Sequence, residues 1–91
     1  MADVFDVAAY ILNKKGRMTT MKLQKLCYYA QAWHLVWAEK PLFDEPIQAW
    51  ANGPVCPELY QAHKGKFDID ARELPQGNPQ ALTDRERRDI D

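Results

Sequence analysis

Two cysteines and two histidines carry the most obvious capacity for chemistry in this 91-residue chain, and they recur at one spacing. Cys27 and His34 are seven positions apart, and so are Cys56 and His63. Cys56 stands just before Pro57, where a helix N-terminus would lower a thiol pKa and raise its reactivity. A nucleophilic cysteine also needs a base within hydrogen-bond reach and a third group to orient it. His63 lies two helical turns on, roughly 10 Å along an axis, and His34 reaches Cys56 only through tertiary folding. No nucleophile signature surrounds Cys56, so a small capping residue in a turn is the better reading and no catalytic residue is assigned. Four ligands of these types also suggest zinc, but paired zinc ligands usually sit two to five residues apart. On a helix, seven-residue spacing puts Cys27 and His34 on one face but too far apart to close on one ion. No metal or cofactor is expected, and hydrogen-bonded core roles are the default for Cys27 and His34.

These residues hang on a mainly α framework. Asp3 with Asp6 predicts a capped helix over 3–15, with Lys14 and Lys15 in its last turn and Gly16 closing it. Residues 20–38 form the strongest element, capped by Thr19 or Thr20 and bounded by Pro41. Leu23, Leu26, Ala30, Trp33 and Trp37 share one face of it, and Met21, Tyr28, Ala32, Leu35 and Val36 cover much of the opposite side. Gln24 and Gln31 occupy a narrow polar window. Such a helix must be buried nearly all round, and Trp33 and Trp37 read as core. One small domain cannot wrap it well, so more chain, a second copy or a partner is required.

The rest is short. "PLFDEP" is a loop, residues 47–51 a short strand, and Asn52-Gly53-Pro54 a turn. Pro57 starts a short helix with Glu58 in its first turn, ending at Gly65. Residues 67–81 are mostly loop, with "PQGNP" the clearest turn. Thr83 and Glu86 form a capping box, with Leu82 as its staple, before a helix of only a few residues. A stub that short is unstable alone.

Composition bounds the function. The chain is 46% apolar and 27% charged with a net charge of −1, ordinary for one soluble domain and unlike a general nucleic-acid binder. Residues 1–40 carry six Lys/Arg against three Asp/Glu, and residues 41–91 six against ten. Neither a secretory leader nor a membrane span is read, and two cysteines without a leader indicate free thiols in the cytoplasm. Lys14, Lys15, Arg17, Lys22 and Lys25 cluster near the first inter-helix turn and raise a helix-turn-helix reading, but helix 20–38 lacks the polar face that base edges demand. Tyr28, Trp50 and Tyr60 are aromatics that an interaction role would use.

Taken together, the runs Lys22-Leu23-Gln24-Lys25-Leu26, Tyr28-Tyr29-Ala30-Gln31, Trp33-His34, Leu42-Phe43, Ala49-Trp50, Gly53-Pro54-Val55 and Pro57-Glu58-Leu59-Tyr60 resemble the Panacea domain, the SocA/GepA-like family of bacterial and phage proteins. The resemblance covers about residues 4–88. It implies a mostly helical antitoxin that binds and neutralises a protein toxin, in some members by handing it to a cytoplasmic AAA+ protease. Members are typically longer, so the expectation is a single domain over 1–91 cut off at its C-terminal side and prone to self-association. Lys22, Lys25, Tyr28, Trp50, Pro54 and Tyr60 are the expected partner-contacting residues. A DNA-binding autoregulator and a small cysteine-dependent enzyme are the alternatives.

Overall fold

The computed structural model describes residues 2–90. Helix α1 spans Val4–Lys15. The Asp3 carboxylate accepts the Asp6 N–H at 2.9 Å while that of Asp6 accepts the Asp3 N–H at 3.0 Å, a reciprocal cap that satisfies two otherwise orphaned donors. Gly16 ends the helix at φ 82°. Strand β1 (Met18–Thr19) leads into α2 (Thr20–Ala38), whose first turn is capped by Thr19 Oγ1 accepting the Lys22 N–H at 3.1 Å.

Only one face of α2 is buried. It carries Thr20, Leu23, Gln24, Cys27, Ala30 and His34, the spacing of a single helical stripe. The expectation of burial nearly all round is therefore corrected, and so is the core assignment of Trp33 and Trp37, which are 54% and 58% exposed. Trp37 keeps the register of the stripe and meets the Trp33 ring with centroids 5.7 Å apart, but the hollow it lines is bordered by the polar residues Lys40, Thr83, Arg85 and Glu86, which leave an indole half open. The polar window is corrected in the opposite sense, because Gln24 is buried.

Both glutamines bracket loop backbone. Gln31 Oε1 accepts the Leu42 N–H at 2.7 Å and its Nε2 donates to the Phe43 carbonyl at 2.7 Å. This fixes a loop whose Leu42 and Phe43 side chains are fully buried. Each such side chain is worth roughly 2 kcal/mol of burial, so an amide that positions both is well placed on a core helix.

Strands β2 (Gln48–Trp50) and β3 (Gly53–Val55) form a hairpin in the register Gln48↔Val55, Ala49↔Pro54, Trp50↔Gly53. The short strand expected at 47–51 is thus present, and the turn residues Gly53 and Pro54 already belong to its partner. Trp50 and Gly53 close the two-residue loop. Alternation then makes Ala49 and Pro54 the non-hydrogen-bonded pair, the one place where a proline lacking an N–H fits. Pro57 opens α3 (Pro57–His63), which buries Leu59 and His63.

The expected loop over 67–81 is more structured than its composition implies. Strand β4 (Asp68–Ile69) pairs antiparallel with β1, matching Met18 to Ile69, and the Phe67 carbonyl accepts the Thr20 N–H at 2.9 Å. Two 3₁₀ turns follow at Ala71–Glu73 and Pro79–Ala81. Between them Gly77 lies against α1 so closely that a methyl group there would overlap the Phe5 carbonyl oxygen and come within 2.8 Å of Ala9 Cβ. The Asn78 N–H reaches Asp6 Oδ1 at 2.8 Å. Helix α4 (Asp84–Ile90) begins with the expected Thr83–Glu86 box, at 3.1 and 2.8 Å. Packing against α2 supplies the stability that a helix of this length lacks alone. No described helix is long and apolar enough to cross a membrane.

Candidate partner-binding face

The cysteine–histidine pairs are spent on structure. Gln24 stands between Cys56 and His63: its Oε1 accepts the Cys56 N–H at 2.9 Å, and its Nε2 donates to the Cys56 carbonyl at 3.3 Å and meets His63 Nε2 at 2.9 Å. Because the carbonyl end of the amide is fixed by an N–H, its NH₂ end faces the imidazole. His63 Nε2 must then accept, which selects the neutral ring. Burial also pushes the His63 pKa below its ordinary value. The Cys56 thiol is buried and its pKa is pushed up by that burial, against a weaker opposing pull from the Leu59 and Glu58 backbone N–H groups. The activating effect that the α3 N-terminus could have on Cys56 is outweighed by desolvation. Cys27 is likewise raised by burial.

His34 also has a structural partner. Its Nδ1 donates to Asp89 Oδ2 at 2.8 Å, tying α2 to α4, and the Arg85 guanidinium adds a 3.2 Å bond to the Trp37 carbonyl. Among the described residues, no three His, Cys, Asp or Glu side chains converge as metal ligands would. The basic cluster is divided as well. Arg17 is held by Asp68 at 2.7 Å, Asp70 at 2.9 Å and Glu73 at 3.3 Å, so it fastens the β4 segment to the α1–α2 junction. Lys22 and Lys25 are exposed and meet no carboxylate among the described residues.

Those two lysines open a groove between α2 and the β2–β3 hairpin. Lys22, Lys25, Met21, Asn52 and Pro54 border its first hollow. Tyr28, Ile47, Ala49, Trp50 and Pro54 border the next, and Tyr28 and Ile47 also border a third together with Leu35, Pro41, Asp44 and Glu45. Five of the six residues expected from sequence therefore line adjoining hollows that share Pro54, Tyr28 and Ile47. The sixth, Tyr60, stacks edge-on against Trp50 with ring centroids 5.1 Å apart. The Trp50 Nε1–H donates to Gln48 Oε1 at 2.9 Å, so a 40% exposed indole is nevertheless held in place. Pre-set aromatic side chains of this kind lose little entropy on contact. Ile47 and Met21 complete the lining and were not singled out. The helical spacing Met21–Lys25–Tyr28–Ala32–Leu35 is the signal that links the α2 side of the groove.

The domain thus encloses its cysteines and histidines and holds Trp50 against Tyr60 at its surface. Residues 23–90 match the family model described as Antitoxin SocA-like, Panacea domain, and the chain belongs to that family. Membership carries an antitoxin-type role in general. No curated protein and no solved structure gives a match.

Proposed function

We infer that this chain neutralises a cognate protein toxin in the cytoplasm by binding it directly, with the α2–hairpin groove as the contact face. The observation that carries the reading is Trp50: a half-exposed indole buttressed by Tyr60 and Gln48 beside Tyr28 and Pro54, with Lys22 and Lys25 bordering the adjoining hollow. Tryptophan and tyrosine in such settings dominate binding energies, and truncating one central anchor typically costs 2 kcal/mol or more. Delivery of the bound toxin to a AAA+ protease is a second stage of the same reading, and toxin half-life in protease-deficient cells separates delivery from simple occlusion.

The test is co-expression with the product of the neighbouring gene in a bacterial host. The neighbour alone should arrest growth, and this chain should restore growth and co-purify with it. Trp50→Ala, with its fold verified by circular dichroism, should lose both. Rescue without a complex, or a harmless neighbour, would remove the reading.

A further inference from the structure

We propose that the occupant of the α2–hairpin groove is an acidic segment followed by apolar residues, its carboxylates lying over Lys22 and Lys25 and its apolar side chains between Tyr28, Trp50 and Pro54. This rests on the antitoxin reading for its biological setting, but its argument is electrostatic. Helix α2 runs for 19 residues, and its first turn carries no acidic residue. The partial positive charge of a helix N-terminus normally favours Asp or Glu there and disfavours cations. Here the first two turns carry Lys22 and Lys25 instead, both exposed and neither within ion-pair distance of a carboxylate among the described residues. Arg17, by contrast, touches three carboxylates, Lys66 meets Glu73 and Arg72 meets Asp70. Two lysines on the positive end of a long helix are a local excess of positive charge that an anion relieves.

The same end of the groove continues into apolar and aromatic lining. That continuation separates an acidic peptide from a nucleic acid. A phosphate backbone needs a run of cations along its track, whereas this groove becomes aromatic past Lys25 and acidic at its far end, at Asp44 and Glu45. The polarity also sets the direction of the occupant. Its carboxylates belong near Asn52 and the start of α2, and its apolar side chains toward Ile47. Acid at the far end repels a uniformly acidic segment, so the favoured ligand carries its charge at one end only.

The test uses two fluorescein-labelled peptides, one with a run of glutamates followed by leucine and phenylalanine, the other with lysines replacing the glutamates. Anisotropy titrations should give saturable binding of the acidic peptide only, weakening with added salt. The double variant Lys22→Glu/Lys25→Glu should bind it at least roughly tenfold more weakly and should gain affinity for the lysine peptide. Tyr28→Ala should weaken the acidic peptide without changing the salt slope. Amide and indole NMR shifts should move at Lys22, Lys25 and Trp50. Equal affinity of the double variant, no saturable binding of the acidic peptide, or displacement of it by duplex DNA at lower concentration would each overturn the proposal. Co-expression separates the two claims. If the double variant still rescues growth and co-purifies with the toxin, the acidic-segment chemistry fails while the antitoxin reading survives. If the unaltered chain does not rescue, the antitoxin reading fails irrespective of what the peptides do.

Discussion

Replacing Gln24 with leucine tests whether the buried amide organises the domain. The substitution keeps the side-chain volume and removes every polar atom. The Cys56 N–H would lose its acceptor, and His63 Nε2 would lose the donor 2.9 Å away. The Cys56 carbonyl would be spared, because it also accepts the Tyr60 N–H at 2.9 Å. Two buried polar groups would thus be left without partners. Each such loss costs about 1–3 kcal/mol, and a buried leucine recovers part of it. The net expectation is a loss of about 2–4 kcal/mol, from a total stability on the order of 5–15 kcal/mol for a domain of this kind. Urea unfolding followed by tryptophan fluorescence should report a lower midpoint with an unchanged m-value. The unaltered chain supplies the second reading. With its folded pKa held below the unfolded value, His63 binds protons more readily in the unfolded state. Its contribution is therefore present above the unfolded pKa of about 6.5 and is lost as pH falls through the lowered folded value. In Gln24→Leu the amide no longer dictates the His63 tautomer, so this part of the pH profile should change. A variant within about 0.5 kcal/mol of the unaltered chain, with the same pH profile, would refute the assignment of Gln24 as a structural clamp.

Gly77→Ala should destabilise by about 1–3 kcal/mol, because the new methyl overlaps the backbone of α1 and the 74–79 turn must lift; an unchanged melting temperature would contradict the close approach. Glu39 caps α2 in the left-handed region, at φ 61° and ψ 26°, so Glu39→Gly should gain roughly 0.5–1 kcal/mol in thermal unfolding. Both thiols should resist a soluble disulfide reagent in the native state and react once urea unfolds the chain, since each is buried and raised in pKa. In the same vein, Cys56→Ser should leave growth rescue intact; its loss with the fold preserved would return Cys56 to candidacy as a nucleophile.

The local signals were legible without any tertiary information. Asp3 with Asp6, Thr83 with Glu86, Gly16 and Pro57 act within a few residues of themselves, and the structure puts the predicted helix boundaries beside them. The motif runs were enough to identify the family, because helical spacing and a Gly-Pro turn are one-dimensional patterns. What needed three dimensions was which side of α2 faces inward. On a wheel, leucines and tryptophans are apolar and glutamines polar, so hydropathy assigns Trp37 to the core and Gln24 to a polar window. The fold reverses both. Gln24 can be buried because the backbone of Cys56 and the ring of His63, 32 and 39 residues away, satisfy its amide. Trp37 stays half open because the chain that reaches it is polar. The pairing of Met18 with Ile69 and the docking of Gly77 on α1 were equally hidden. Sequence alone thus determined where the four helices lie, through caps and breakers that act locally, while long-range hydrogen bonding decided the short strand pairs and which face of each helix is core.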